Sequence, residues 1–315
     1  MPRLASKVAV VTGSGGAIGR AEALLLAKEG AAVVISDIGK TAEGKSTAEI
    51  VAEEIRGFGG RAVAVSHDLA SMDGARRTIE AAVDTFGSIG ILVNNAGLRA
   101  AKPVDQLTED DWDAVVGSHL KASFATIKYA VPFMRKNGGG CIINTGSEAG
   151  MGMIFNAAYA AAKEGIAGLT RTVAREQGRF GIRCNLVRPR THVPDPRGGK
   201  WGRTKLYGEW MPMKDALGPY WIGERGLAEW GVPATPEQVA GLIAWLCTSQ
   251  AENVNGQDFY VGGDEVALVS MPKFERSLIR PGGWDIDALS DTLPGAMTGG
   301  LVDHFRIENP LSNDD

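Results

Sequence analysis

The chain has few of the residues that build disulfide frameworks and metal sites. Only three of its 315 residues are cysteine and four are histidine. The cysteines, at positions 141, 184 and 247, are too widely spaced for a CxxC pair, so we expect neither a disulfide framework nor a bound metal. Such sparse thiols favour a reducing compartment, and we expect a cytoplasmic location.

Long apolar runs and blocks of basic charge are also lacking. The first apolar run, residues 8–11, is far too short for a signal peptide or a membrane span. Lysine and arginine number 33 against 37 acidic residues, which gives a net charge of −4. This balance argues against nucleic acid or an anionic membrane as the partner. We therefore expect a small-molecule partner and no membrane insertion.

The chain does contain a regular alternation of short β-branched runs and longer helical stretches. Strands separated by helices are typical of a doubly wound, Rossmann-type parallel sheet, here predicted to have seven strands in one α/β domain. The predicted strands cover residues 8–12, 32–36, 62–66, 89–94, 141–145, 183–187 and 258–261. The predicted helices cover residues 18–29, 46–58, 71–86, 109–136, 157–180 and 236–248.

Two segments interrupt this alternation. Residues 190–233 contain four of the seven tryptophans and are predicted to form an enlarged substrate lid within a catalytic domain over residues 1–263. So much aromatic surface favours a bulky hydrophobic substrate, although a rigid lid or a subunit interface would use it equally well. Residues 264–315 form a C-terminal extension, which we expect to wrap the core or a neighbouring subunit near the active-site mouth.

The first predicted strand runs directly into a glycine-rich turn, residues 12–19, and then into a helix. Glycines there permit a tight turn and let the backbone approach a pyrophosphate at the helix N-terminus. Because a strand precedes the turn and a helix follows it, nucleotide binding is favoured over plain turn geometry. The residues of the turn predicted to line the nucleotide are Gly13, Gly16, Ile18 and Gly19.

An acidic residue, Asp37, closes the second predicted strand. A carboxylate there can accept hydrogen bonds from ribose hydroxyls and would repel a 2′-phosphate. The sequence therefore favours NAD over NADP, although Lys40 and Lys45 are near in sequence. The alternative is an aspartate that only caps a turn.

Tyr159 and Lys163 stand one helical turn apart in a predicted helix. This spacing puts both side chains on one face, where the ammonium favours the phenolate and lowers a pKa that starts near about 10. A tyrosine tuned in this way can act as a general acid or base. Alone the pair is weak evidence, and the glycine turn gives it weight.

Together these motifs resemble the short-chain dehydrogenase/reductase family over about residues 5–263. The resemblance rests on the glycine turn, the run Asn94-Asn95-Ala96-Gly97, Ser147, and the Tyr159–Lys163 pair. It implies that Ser147 bonds the substrate oxygen, that Tyr159 exchanges the proton, and that Lys163 also holds the nicotinamide ribose. It further implies a homo-oligomer, a tetramer or a dimer. The remaining residues it places beside the cofactor are Asp68, Leu69, Asn95, Ala96, Gly97 and Pro189.

Three positions depart from the family pattern. Ser147 and Tyr159 are twelve residues apart, one fewer than in many members, so the loop between them takes a shorter path. His119 stands where most relatives carry an asparagine. It is either a member of the family's proton relay or a packed ring. Arg190 replaces the glycine that usually follows Pro189.

The surroundings of His119, residues 118–124, resemble the D-3-hydroxyacyl-CoA dehydrogenase part of multifunctional β-oxidation enzymes, a likeness that fails across 190–233. The favoured hypothesis is an NAD-dependent oxidoreductase that interconverts a secondary alcohol and a ketone on a bulky hydrophobic substrate of steroid, terpenoid or aryl type. The alternatives are a 3-hydroxyacyl-CoA dehydrogenase, a dinucleotide sensor that has lost catalysis, and a structural subunit.

Overall fold

The computed structural model describes residues 2–153, 155–191 and 234–301. The predicted lid lies outside the described residues except for its first two positions, 190 and 191, and so do the last fourteen residues of the predicted extension. The described chain divides into two compact units, residues 2–191 with 234–269, and residues 270–301. None of the described helices combines the length and the apolarity that crossing a bilayer requires.

The first unit is built on one sheet with strand order β3-β2-β1-β4-β5-β6-β7-β8. The first seven strands are parallel and the eighth is antiparallel. The strands are β1 (Val8–Thr12), β2 (Ala32–Ser36), β3 (Arg61–Val65), β4 (Ile91–Asn94), β5 (Gly140–Thr145), β6 (Ile182–Arg190), β7 (Asp258–Gly262) and β8 (Glu265–Leu268).

The Rossmann-type fold predicted from the sequence is confirmed, but the prediction of seven strands is one strand short. Strand β8 falls in the segment predicted as an extension and pairs with β7 from Gly262↔Glu265 to Phe259↔Leu268. Only two residues connect the two strands, and the first, Gly263, has a φ of +58°, as tight hairpins require. The prediction missed β8 because it is short, mostly exposed and not separated from β7 by a helix.

Helices cover both faces of the sheet. The described helices are α1 (Ala17–Lys28), α2 (Thr47–Gly57), α3 (Met72–Phe86), α4 (Glu109–Val116), α5 (Ala122–Lys136), α6 (Ala157–Gln177), α7 (Pro236–Leu246) and α8 (Ile286–Leu293). Apolar side chains of α1, α2 and α7 pack on one face, and those of α3, α5 and α6 pack on the other. The strands are therefore buried on both sides, as parallel strands usually are.

The long helix predicted over residues 109–136 is interrupted. Helices α4 and α5 are joined by a π-helical turn, Gly117–Lys121. Such a turn inserts a residue into the helical register and is frequent at functional sites. Here it contains His119, whose ring is buried.

The second unit, residues 270–301, contains α8 followed by a π-helical turn, Pro294–Thr298. The side chain of Asp285 caps α8 by accepting a 2.7 Å hydrogen bond from the Ala288 amide. Arg276 donates to the carbonyl of Met297 at 2.8 Å, which links the two ends of the unit. Phe274 is 97% exposed, so within its own unit this segment leaves large apolar side chains uncovered.

Candidate active site

The glycine turn connects β1 to α1 and requires its glycines for packing. Gly13 has a φ of +65°, and a Cβ there would lie 2.8 Å from the Cα of Ala96. A Cβ on Gly19 would lie 2.5 Å from the carbonyl oxygen of Gly13. The amide of Gly16, the N-cap of α1, donates to the same carbonyl at 3.2 Å, and Ile18 is partly buried on α1. The turn therefore presents bare backbone at a helix N-terminus, the arrangement that a pyrophosphate binds.

The segment after β4 is fastened to this turn. The hydroxyl oxygen of Thr12 accepts hydrogen bonds from the amides of Asn95 and Ala96, at 3.0 and 3.1 Å. The side-chain amide of Asn95 donates to the carbonyls of Thr12 and Gly13. Two motifs that are distant in sequence, residues 12–13 and 95–96, thus form one wall of the predicted cofactor site, which we call the cofactor wall. Gly97 follows directly after it.

Asp37 lies at the end of β2, beside the same turn. Its carboxylate accepts hydrogen bonds from the amide of Gly15 at 3.0 Å, the amide of Gly39 at 2.6 Å and the hydroxyl of Thr47 at 3.0 Å. The turn-capping role is therefore present in the structure. The same contacts also hold a negative charge beside the glycine turn, where a ribose of a dinucleotide would lie.

The other predicted cofactor residues lie along the same edge. Asp68 and Leu69 follow β3; the carboxylate of Asp68 accepts from the Ala70 amide at 3.0 Å, and Leu69 is buried. Pro189 is the last residue but one of β6 and lies opposite Val261 of β7. Apart from Tyr159 and Lys163, which come from α6, the predicted nucleotide residues therefore lie at or just after the carboxyl ends of parallel strands, where ligands bind in open α/β sheets.

Tyr159 and Lys163 lie on α6 and are both buried. The ammonium of Lys163 donates a 2.6 Å hydrogen bond to the carbonyl of Thr145 at the end of β5. Its nitrogen is 5.5 Å from the centroid of the Tyr159 ring. Burial lowers the pKa of Lys163 below its usual value. The predicted pair is thus brought together as the helical spacing requires.

The pKa of Tyr159 is lowered from 10 to about 8. Burial by itself would raise the pKa of this phenol. The charges of Lys163 and Arg99, with hydrogen bonds to Ser147 and Arg99, outweigh that effect. A phenol with such a pKa can give up or take back a proton near neutrality.

Ser147 follows β5 and begins a short 3-10 turn, Glu148–Met151. Its hydroxyl oxygen accepts a 3.1 Å hydrogen bond from the amide of Ala149, so its own proton remains to be donated to another oxygen. The shorter path between Ser147 and Tyr159 has not separated them, because Ser147 is still near enough to the Tyr159 hydroxyl to lower its pKa.

Sequence reasoning missed the buried ion cluster behind Ser147. Arg188 on β6 makes a bidentate pair with Asp258 on β7, with bonds of 2.8–3.0 Å. One guanidinium nitrogen also donates to the carbonyl of Ser147 at 2.6 Å and to Glu164 at 2.7 Å. Burial opposes charge on Arg188, yet these partners hold its pKa above its usual value. A charged residue inside an apolar strand was the available signal, because it requires a partner nearby.

Arg99, two residues beyond Gly97, was also missed. Its guanidinium carbon lies 4.7 Å from the centroid of the Tyr159 ring. One of its terminal nitrogens donates a 3.2 Å hydrogen bond to the Tyr159 hydroxyl. The sequence offered no spacing that ties the segment after β4 to a tyrosine sixty residues later.

His119 packs between the cofactor wall and Tyr159. Its ring meets that of Tyr159 edge to face, with centroids 5.1 Å apart, and it occupies the space that a side chain at position 97 would fill. Its Nε2 bonds to the carbonyl of Leu98 at 2.7 Å. A carbonyl only accepts, so Nε2 carries the proton and Nδ1, which has no partner among the described residues, does not. Burial holds the pKa of His119 well below its usual value, so the ring is neutral.

A family model described as short chain dehydrogenase matches residues 7–195. A hydroxyacyl-CoA dehydrogenase of Mycobacterium tuberculosis, ChsB1, is 35% identical and covers 98% of this chain and 91% of its own. Cyclohexanol dehydrogenase of Acinetobacter sp. (strain SE19) is 37% identical, covering 82% of this chain and 94% of its own.

A third relative is the peroxisomal multifunctional enzyme type 2 of Mus musculus, 34% identical over 88% of this chain. This chain spans about a third of that protein, 34% of its length. The predicted resemblance to the hydroxyacyl-CoA dehydrogenase branch is confirmed. The alignment with the mycobacterial protein covers 98% of this chain and so runs across residues 190–233.

Proposed function

Because the chain belongs to the short-chain dehydrogenase family, we propose that it is an NAD-dependent oxidoreductase that interconverts a secondary alcohol and a ketone. The observation that carries this proposal is the buried Tyr159 hydroxyl with Lys163, Ser147 and Arg99 around it. These groups stand at the same sheet edge as the glycine turn.

The residues at this edge fit a dinucleotide. A Cβ at Gly13 or Gly19 would collide with nearby backbone atoms of the same turn and of Ala96. The bare backbone that these glycines leave suits a pyrophosphate at the N-terminus of α1. The carboxylate of Asp37 favours NAD, because it can accept from a ribose hydroxyl and would repel a phosphate there. When bound, the nicotinamide supplies or accepts the hydride.

The chain's own residues handle the proton. In oxidation, the phenolate of Tyr159 accepts the proton of the substrate hydroxyl, and in reduction the phenol returns it. The hydroxyl of Ser147 donates to the substrate oxygen and steadies the negative charge that develops on it. Lys163 keeps the phenolate accessible near neutral pH.

Two substrate classes have specific support. A bulky hydrophobic alcohol or ketone is suggested by the tryptophan-rich segment 190–233, and the cyclohexanol dehydrogenase relative is consistent with a plain alcohol. A 3-hydroxyacyl-CoA thioester is favoured by the relative named hydroxyacyl-CoA dehydrogenase, which matches nearly the whole chain. We place the bulky hydrophobic carbinol first and the thioester second.

Hydride transfer is the direct test. NADH and NADPH binding would be measured by fluorescence titration, followed by turnover of cyclohexanol, a hydroxysteroid and a 3-hydroxyacyl-CoA. We expect NADH to bind more tightly, one class to turn over, and Tyr159→Phe to lower kcat by at least about a hundredfold while NADH binding persists. Cofactor binding without turnover of any class, with Tyr159→Phe indistinguishable from the native protein, would instead indicate a sensor.

A further inference from the structure

We infer that Arg99 is a second cationic partner of Tyr159, which stabilises the phenolate and orients its oxygen together with Lys163. This inference rests on the proposed function of Tyr159 as the acid/base. Arg99 contacts the reacting oxygen itself, with a hydrogen bond of 3.2 Å. It also covers the ring, with the guanidinium carbon 4.7 Å from the centroid. Two contacts to one side chain fix both its charge environment and its direction.

The backbone beside Arg99 is held from both sides. The amide of Leu98 donates to the hydroxyl oxygen of Ser118 at 3.1 Å, and its carbonyl accepts from His119 at 2.7 Å. Ser118 in turn donates to the carbonyl of Ala114 on α4 at 2.7 Å. Consecutive residues of the π-helical turn therefore bond to both backbone groups of Leu98, the residue just before Arg99. This gives His119 a positioning role that needs no proton transfer.

The absence of a side chain at Gly97 makes the contact between His119 and Leu98 possible. A Cβ at that position would overlap the His119 ring, so any larger residue would displace the ring from the Leu98 carbonyl. The lack of a side chain at position 97 thus serves the proton-transfer group as well as the cofactor wall.

The two cations beside Tyr159 are not equivalent. Lys163 is buried, donates to Thr145, and has a lowered pKa, so its charge weakens as the pH rises. Arginine, unlike lysine, is a permanent cation in proteins. Arg99 therefore supplies a cation beside the phenolate at alkaline pH, where the positive charge of Lys163 decreases.

The test measures the ionisation of Tyr159 without any substrate. The chain has five tyrosines, so the ultraviolet phenolate signal of the native protein minus that of Tyr159→Phe isolates this residue. We expect a midpoint of about 8 in the native protein. In an Arg99→Met background we expect the midpoint about one unit higher, since one of two neighbouring cations is removed. Arg99→Lys should restore part of the shift, and Arg76→Met, which removes a surface arginine from α3, should cause none.

Activity gives the second readout. If the phenolate is the base, the acidic limb of kcat/KM for alcohol oxidation moves with the same midpoint. Arg99→Met then loses about tenfold in kcat/KM near pH 7 and little near pH 10. An unchanged phenolate midpoint in Arg99→Met would overturn the inference, even if the enzyme is active. A shifted midpoint in a protein that oxidises no alcohol would support Arg99 and instead overturn the proposed function.

Discussion

Around the glycine turn the chain is held by backbone shape and, apart from the bonds that Asp37 accepts, by uncharged hydrogen bonds, whereas around Tyr159 it is held by buried charge. The first region fixes Asn95 and Ala96 through the hydroxyl of Thr12. The second fixes Ser147 through the guanidinium of Arg188 and borders Tyr159 with two cations. Binding a large dinucleotide needs a surface of fixed shape, while moving a proton needs an electrostatic field. Neighbouring parts of one sheet edge supply the two.

The largest expected effect is on the charged region. Arg188→Met should lower the free energy of unfolding by about 3–5 kcal/mol, because it leaves the buried carboxylate of Asp258 without its partner. Urea denaturation measures this. The double variant Arg188→Met/Asp258→Leu should recover part of the loss, since no charge then remains unpaired. Arg56→Met, at an exposed pair with Glu49, is the matched control and should cost under about 1 kcal/mol.

If Arg188→Met proves no more costly than that surface control, the charged cluster does not hold the region together. Buried charge would then not be what holds the region around Tyr159. The position of Ser147 would instead depend on the 3-10 turn that follows it.

The region around the glycine turn also contains a buried carboxylate. Glu22 lies on α1, in the region described as uncharged, and neither of its oxygens has a hydrogen-bond partner among the described residues. Burial raises the pKa of Glu22 to about 8, only partly offset by Lys163. The folded state therefore prefers the protonated form, and near neutral pH Glu22 adds no charge to this region.

This shift has a signed consequence for stability. A raised folded-state pKa contributes stability that is complete below the usual value of 4.5 and is lost as the pH rises through about 8. Relative to Glu22→Gln, the native protein should lose about 3 kcal/mol between roughly pH 6 and pH 9. Denaturant unfolding at several pH values measures the difference. A constant difference across that range would show that Glu22 is already ionised or is solvated.

The glycine turn should respond to volume and not to charge. Gly19→Ala places a Cβ 2.5 Å from the Gly13 carbonyl oxygen and 2.7 Å from the side-chain nitrogen Nδ2 of Asn95, so the turn must shift. We expect about 2 kcal/mol of lost NADH affinity, or roughly thirtyfold, by fluorescence titration. Gly57→Ala, which meets nothing within 4 Å, is the control and should bind normally. Equal affinity in both variants would mean that the cofactor does not depend on this packing.

The sequence predicts the local motifs of the site better than the contacts between residues that are distant in sequence. The glycine turn, Asp37 and the Tyr159–Lys163 pair were identifiable because each is local, a few residues whose spacing fixes their geometry. Arg99, Arg188 and Asp258 were not, because their partners come from elements distant in sequence and no spacing records the pairing. The π-helical turn was hidden for a similar reason, since a helical pattern over 109–136 does not reveal a change in hydrogen-bond register.

Asp37 lies at the boundary of the comparison, a charge that organises a backbone turn and also faces the expected ribose. Asp37→Asn removes the charge with little change in size. If the carboxylate selects the cofactor, the ratio of NADPH to NADH affinity should rise about tenfold, because repulsion of a 2′-phosphate is lost together with a charged acceptor for the ribose. Asp73→Asn, on the surface of α3, changes the net charge equally and should leave the ratio unaltered. Should both variants leave the ratio where it was, the three hydrogen bonds that Asp37 accepts are its whole function, and the charge at the end of β2 serves the turn alone.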